Sequence, residues 1–254
     1  MSSTTLTIGL VLPDVLGTYG DDGNALVLRQ RARMRGITAQ IQRIRLGEPV
    51  PETLDLYTLG GGEDTAQILA AEHLIADRGL TRAAEAGRPI LAICAGLQVL
   101  GESFRAGDRI VDGVGLVDAT TAGLATRAIG EVASTPTRAG ITSELTEPLT
   151  GFENHMGATV LGPQAQPLGT VTRGTGNCDS TGAAGLSDAT AQTSAEGAVQ
   201  GSVIATYMHG PALARNPQLA DLLLARAMGI RLDELEPLEI PIIDRLRLER
   251  LGQK

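Results

Sequence analysis

Hydrophobic positions in the first hundred residues fall in short blocks that alternate with amphipathic stretches. Residues 5–12 (Thr-Leu-Thr-Ile-Gly-Leu-Val-Leu) form an apolar, β-rich run closed by Pro13-Asp14, and predict a first strand. Residues 25–35 carry helical spacing that stops at Gly36, with Asn24 placed to cap the helix N-terminus. Alternation over 38–44 predicts a second strand, and 54–59 a third that runs into Gly60-Gly61-Gly62-Glu63-Asp64. Helical patterns over 65–78 and 81–86 lead to Gly87-Arg88-Pro89 and a wholly apolar strand, Ile90-Leu-Ala-Ile93, ending at Cys94. Helical spacing resumes at Ala95-Gly96. Strand and helix in alternation predict an α/β fold, a parallel sheet covered on both faces. In such sheets the loops after strand C-terminal ends form the site. Residues 60–64 and 94–98 both occupy such positions.

Beyond Gly113 the pattern changes. Gly-rich turns separate β-like pieces at 115–118, 128–132 and 151–155, expected as antiparallel hairpins added to the sheet edge. Residues 173–197 are low in complexity, rich in Gly, Ala, Ser and Thr, and are expected as a mobile surface loop with Cys178 incidental. A strand over 202–207 ends at Met208-His209-Gly210-Pro211, and a helix over 217–228 stops at Gly229. The domain is therefore placed at 1–229. The tail, 230–254, mixes Leu235, Leu238, Ile242, Ile243, Leu246 and Leu248 with charges. It is expected to pack on the domain or to offer a surface to a partner.

Composition narrows the function. With 254 residues and 43% hydrophobic content the chain buries a sizeable core. Two Phe, three Tyr and no Trp leave little for base stacking, and a net charge of -8 opposes a phosphate-backbone binder, so no nucleic acid is expected. Two separated Cys residues do not make a disulfide framework and suit a reducing compartment. No basic leader precedes an apolar run and no run reaches membrane-spanning length, so a cytoplasmic location is expected. Lys254 is the single lysine, which fits a GC-rich coding bias. Arg29, Arg31, Arg33 and Arg35 cannot all share one helical face and are read as a solvated surface.

Cys94 draws attention because an apolar strand feeding a sharp turn into a helix lifts a nucleophile out of a sheet. A helix N-terminus also lowers a thiol's pKa. For a lone cysteine the competing reading is an inert core thiol. Of the three histidines, His73 lies in a charged helical stretch and reads as surface, while His155 either lines a pocket or satisfies a turn. His209 directly follows a strand and so emerges at the same sheet edge as Cys94, as a general acid/base for a thiolate requires. Backbone N–H groups at the glycine turn and at Ala95 are positioned as oxyanion donors. No His/Cys cluster has metal-ligand spacing, and no Gly-rich loop matches a nucleotide phosphate pattern.

These residues resemble a class I glutamine amidotransferase domain of the cobyric-acid-synthase-like type. Among its branches the chain is similar to the glutaminase subunits of lipid II isoglutaminyl synthases. The resemblance rests on Tyr19-Gly-Asp-Asp-Gly-Asn24, Leu59-Gly-Gly-Gly-Glu-Asp64, Ile93-Cys-Ala-Gly-Leu-Gln98 and Thr126-Arg-Ala-Ile-Gly-Glu131. Gly151-Phe-Glu-Asn-His-Met-Gly157 and Ala205-Thr-Tyr-Met-His-Gly210 complete it. It implies a three-layer α/β/α, flavodoxin-like domain that hydrolyses L-glutamine to glutamate and ammonia. Cys94 and His209 would be catalytic, Gly61 and Ala95 the oxyanion donors, and Arg127, Gln98, Gly60 and Gly62 the substrate contacts. It also implies a heterodimer with a MurT-like, Mur-ligase-like synthetase that holds ATP and Mg and reaches lipid II, with no cofactor in this chain. Alternatives are another acceptor, such as a corrinoid carboxylate, or a non-catalytic regulatory subunit. One departure stands out. Many class I domains carry Glu two residues after the histidine, where this chain has Pro211. Either the Cys-His pair works alone or an acidic residue comes from elsewhere, the partner included.

Overall fold

A computed structural model describes residues 5–17 and 19–252. The remaining positions, among them Thr18, Lys254 and the outer ends of the expected domain and tail, lie outside the described residues. A central six-stranded sheet is built from β1 (Leu6–Val11), β2 (Ala39–Ile44), β3 (Leu56–Leu59), β4 (Ile90–Ile93), β11 (Ala198–Gln200) and β12 (Val203–Thr206). Its order is β11-β12-β4-β3-β1-β2, parallel except for the β11–β12 pair. Every residue of β3, β4 and β12 is buried, which explains their continuous apolar runs.

Helices α1 (Gly23–Met34), α2 (Asp64–Asp77) and α3 (Gly79–Glu85) connect these strands. The crossover from β1 through α1 to β2 steps one way along the sheet, and that from β3 through α2 and α3 to β4 steps the other way. Right-handed crossovers in opposite directions place their helices on opposite faces, which gives the three layers. The reversal lies between β1 and β3, and the crevice at such a switch point is where open α/β sheets bind ligands. After β4 comes α4 (Ala95–Leu100). After β12 come α6 (Ala212–Arg215) and α7 (Pro217–Ala227), which pack with α1.

The hairpins expected at the sheet edge form a second sheet instead. It contains β5 (Ser103–Ala106), β6 (Arg109–Asp112), β7 (Ala119–Pro136), β8 (Leu149–Leu161), β9 (Gly169–Arg173) and β10 (Ala195–Glu196), in the order β10-β9-β7-β5-β6 with β8 on β7. β7 spans 18 residues and pairs with β8 on either side of an irregularity between Gly123 and Ala128. The short β-like pieces read in the sequence are parts of these long strands, apart from 115–118, which is not a strand.

The 173–197 segment is packed rather than a free loop. It contains α5 (Ala189–Thr193) and β10, and the Asn177 side chain bonds both the N–H and the carbonyl of Gly197. Cys178 and Ala183 are buried against Leu124, Ala128 and Ala158 in a small satellite core. Ala183 and Ala195, part of a stretch that reads as low complexity, are buried, whereas Ala184 and Ala191 face solvent. Arg31 and Arg35 also depart from expectation. Spaced i,i+4, they turn toward α7 and share Asp221, Arg31 through two bonds of 2.7 Å and Arg35 through one of 2.8 Å. Asn24 lies inside α1, not at its cap.

In the tail, α8 (Pro241–Arg250) lies against the domain through polar contacts. Arg247 donates to the Pro148 carbonyl (2.6 Å) and Arg250 to Glu131 (3.1 Å), while Ile242 and Leu246 stay exposed. No helix among the described residues is long and apolar enough to cross a membrane.

Candidate active site

Four loops meet at the C-terminal edge of the central sheet, following β1, β3, β4 and β12. Cys94 occupies the turn from β4 into α4 with φ 53° and ψ -106°, a conformation that costs an ordinary residue about 1–3 kcal/mol. The surroundings enforce it: the Cys94 N–H donates to the Thr206 carbonyl on β12 (2.8 Å), and the Cys94 carbonyl accepts from the Gln98 N–H (3.2 Å). The thiol thus sits at the N-terminus of α4.

His209 is held three residues beyond β12 by a two-way backbone bridge to Phe152 of β8, with N–H to O distances of 2.9 and 3.1 Å. Its Nδ1 lies 3.0 and 3.1 Å from the two carboxylate oxygens of Asp21, whose side chain is fully buried. An Nδ1–H donating to Asp21 leaves Nε2 to exchange a proton with Cys94. Nε2 has no hydrogen-bond partner among the described residues. Burial lowers the His209 pKa, but the bond to Asp21 and the charges of Asp21 and of a Cys94 thiolate outweigh it and push it up to about 10. These neighbours favour the charged form of the ring. Tyr19, tied to Glu63 by its hydroxyl, lies over the ring at 5.3 Å between centroids.

Asp21 is the acidic residue that the position of Pro211 left open, and it comes from this chain. It sits in the loop after β1, across the switch point, and its Oδ2 also accepts the Gly61 N–H (2.9 Å). Asn24 fixes this loop against the turn after His209: its Nδ2 donates to the Asp21 carbonyl and its Oδ1 accepts from the Leu213 N–H. In the sequence Asp21 is one of several Gly and Asp residues of the Tyr19–Asn24 motif. The signal available was its place after a strand, the criterion applied to His209.

The glycine turn changes roles accordingly. The Gly61 N–H is taken by Asp21, so it is not a free oxyanion donor. Gly60 packs beneath the loop: a Cβ there would meet the Leu16 carbonyl oxygen at 2.0 Å, and the residue does not line the cleft. Gly62 does line it, and neither its N–H nor that of Ala95 has a hydrogen-bond partner among the described residues.

A cleft of ≈ 240 Å³ opens over Cys94 and is lined by Gln98, Arg127, Gly62, Glu63, Asn154 and His155 among others. Arg127 donates to Asn154 Oδ1 (3.2 Å) across the β7–β8 pair. His155 does both things the sequence allowed. It lines the cleft, and its Nδ1 lies 2.9 Å from the Gly157 carbonyl. His73 lies outside the cleft, beside the Glu48 carbonyl.

The second sheet thus supplies one wall of the site and the central sheet its floor. Residues 7–217 match the CobB/CobQ-like glutamine amidotransferase domain. The chain is 34% identical over 238 residues to the GatD subunit of lipid II isoglutaminyl synthase (glutamine-hydrolyzing) from Staphylococcus aureus strain N315, covering 92% of this chain and 89% of that one. Against the GatD subunit of Streptococcus pneumoniae strain ATCC BAA-255 / R6 it is 30% identical, covering 88% and 80%. Among solved structures, a glutamine amidotransferase matches with a TM-score of 0.54 at 19% identity, covering 87% of this chain and 98% of that chain. The glutaminase domain of Trypanosoma brucei CTPS with bound acivicin matches with a TM-score of 0.52 at 11% identity, covering 89% and 94%, a likeness of fold. The chain belongs to the CobB/CobQ-like glutamine amidotransferase family and is a glutaminase of the α/β, flavodoxin-like class.

Proposed function

We propose that this chain is the glutaminase subunit of a lipid II isoglutaminyl synthase. It hydrolyses L-glutamine and passes ammonia to a Mur-ligase-like synthetase in a cytoplasmic heterodimer. The relatives named GatD at 34% and 30% identity, each covered over most of its length, support the choice of acceptor. The observation that carries the chemistry is His209 bonded to the buried Asp21 at the strand-end edge that also presents Cys94, beneath a cleft that Cys94 and Arg127 line.

Glutamine enters with its α-carboxylate on Arg127, whose planar fork suits two oxygens. Cys94 Sγ attacks the side-chain carboxamide carbon, and the N–H groups of Ala95 and Gly62 receive the developing oxyanion. His209 Nε2 gives its proton to the nitrogen as the C–N bond breaks, and ammonia leaves. The neutral imidazole then takes a proton from water as the water attacks the glutamyl thioester. Glutamate and the thiolate–imidazolium pair are regenerated. Asp21 holds the ring with Nε2 toward the thiol throughout.

Ammonia released to solvent would waste glutamine. The synthetase binds ATP and Mg, activates the α-carboxyl of D-glutamate in the stem peptide of lipid II and receives the ammonia. The test is to purify this chain with the Mur-ligase-like partner and supply lipid II, glutamine and ATP. Amidated lipid II, lost in Cys94→Ser with glutamine but retained with an ammonium salt, is the expected outcome. No ATP-dependent amidation by the pair sinks the assignment of acceptor.

A further inference from the structure

Where α8 meets the domain, it encloses a second cavity with α6 and the start of β8. The volume is ≈ 260 Å³, and the walls include Ile243, Leu246, Arg247 and Arg250 of α8, Thr150 of β8 and Arg215 of α6. No residue that lines it also lines the catalytic cleft.

The charges around this cavity do not balance. Arg215 and Arg250 both bond Glu131, at 2.7 and 3.1 Å, and Arg173 approaches the same carboxylate at 3.9 Å. Glu131 is the one carboxylate within ion-pair distance of these three among the described residues. Arg247 has Glu147 at 3.2 Å. Four guanidinium groups thus face two carboxylates, a surplus of two positive charges in a chain whose net charge is -8.

The same wall holds two buried polar groups without a protein partner among the described residues, Arg247 Nε and the Thr150 hydroxyl. The Arg247 side chain is 10% exposed, and its Nη2 is already committed to the Pro148 carbonyl and to Glu147. Thr150 is fully buried, held by its backbone N–H and carbonyl to the Asn216 side chain, which leaves the hydroxyl out of the fold's own bonding. Buried donors are rarely left without an acceptor, and both of these groups can donate. A group that only accepts, carries several oxygens and bears two negative charges answers both observations. A carboxylate has one charge, whereas a phosphoryl group has about -1.5 to -2 near neutrality and three acceptor oxygens.

We infer that the cavity between α8 and the domain is a binding site for a phosphoryl group, held by Arg215, Arg247, Arg250 and Thr150. Two sources present that group: inorganic phosphate in solution, and the headgroup of an anionic lipid. In the second case Ile242 and Leu246, both exposed on α8, would meet the acyl region. Either ligand ties the tail to the domain. The site stands apart from the glutamine-hydrolysis reading and does not depend on it.

The experiment titrates inorganic phosphate into the full chain by calorimetry at constant ionic strength, for wild type, Thr150→Val, Arg250→Gln and Arg245→Gln. Arg245 is the control: it lies on the same helix, is 71% exposed and does not line the cavity. Phosphate binds wild type and Arg245→Gln alike, and the Kd rises by about tenfold in Thr150→Val and in Arg250→Gln, the scale of one hydrogen bond to a charged group. Thr150→Val removes no protein hydrogen bond and no charge, so it keeps the test available should Arg250→Gln loosen the tail. A second arm floats the chain with vesicles of phosphatidylcholine, with and without phosphatidic acid. Flotation that requires phosphatidic acid and is lost in Thr150→Val assigns the lipid as the source; phosphate binding without such flotation assigns the free ion. No binding in either arm overturns the site. Phosphate binding that Arg245→Gln weakens as much as Arg250→Gln does, or that Thr150→Val and Arg250→Gln leave unchanged, overturns it as well.

Discussion

Replacing Asp21 with asparagine removes one charge from a fully buried side chain and turns one oxygen into an amide nitrogen. Two donors point at the present carboxylate, the His209 Nδ1–H and the Gly61 N–H. An asparagine has one acceptor oxygen, so one of the two faces an NH₂. If the oxygen stays on His209, the charge assistance is still lost, and a hydrogen bond to a charged partner contributes about 1.5–3 kcal/mol. At 1.36 kcal/mol per factor of ten, kcat falls by roughly 10- to 100-fold. The pH profile moves as well. Activity depends on the His209 imidazolium as proton donor, so its alkaline limb follows the raised pKa, about 10 in the intact site. Asp21 supplies much of what raises it against burial, and the limb moves to lower pH in Asp21→Asn. Stability shifts with the same sign. A histidine whose folded pKa lies above its unfolded value of 6.5 contributes fully below that value, and its contribution is lost as pH rises toward 10. The variant's deficit in Tm is therefore larger near the acid end of that window. The assay is ammonia release from glutamine across pH, with the synthetase partner present. A kcat within about twofold of wild type together with an unmoved alkaline limb would falsify Asp21 as the residue that orients His209.

Arg127→Ala leaves the thiol and imidazole in place and removes the cation that receives the α-carboxylate. KM for glutamine rises by about tenfold or more with a smaller change in kcat, and an unchanged KM removes Arg127 from the substrate site. Asp221→Ala leaves Arg31 and Arg35 facing each other with side chains 6% and 2% exposed. Breaking such a pair costs about 3–5 kcal/mol, read as a lower midpoint in urea; a cost within about 0.5 kcal/mol shows that these arginines reach water instead. Burial pushes the Glu196 carboxyl up to about 7, opposed by its bonds to Thr206 and Tyr207 and assisted by the Glu153 charge. The folded chain then binds this proton more tightly than the unfolded one, so stability falls as pH rises through that window. Glu196→Gln removes the slope, and its Tm relative to wild type improves between about pH 5 and about pH 8; a pH-independent difference contradicts the shift.

What was legible in the sequence was what local pattern controls. The buried runs of β3, β4 and β12, and the loops that follow them, announced the sheet edge where Cys94 and His209 meet. Asp21 was harder because its partnership with His209 spans 188 residues, and its Gly- and Asp-rich loop reads equally well as a turn. The second sheet was misread as edge hairpins because β7 changes partner along its length. It pairs with β8 along most of its length and with β5 and then β9 beside it, which no short-range alternation records. Residues 173–197 were misread because alanine and glycine packed at close approach look like low complexity. The arginines of α1 were misread because their charges suggested water, whereas the decisive partner, Asp221, lies 190 residues away from Arg31.

In the proposed reaction Cys94 carries the substrate's acyl group. Quenching the complex in acid during glutamine turnover and measuring its peptides by mass spectrometry tests this directly. The expected result is a glutamyl adduct on the peptide containing Cys94, absent in Cys94→Ser, with the buried Cys178 unmodified. Glutamine hydrolysis that persists in Cys94→Ser, or an adduct carried by Cys178, would contradict it.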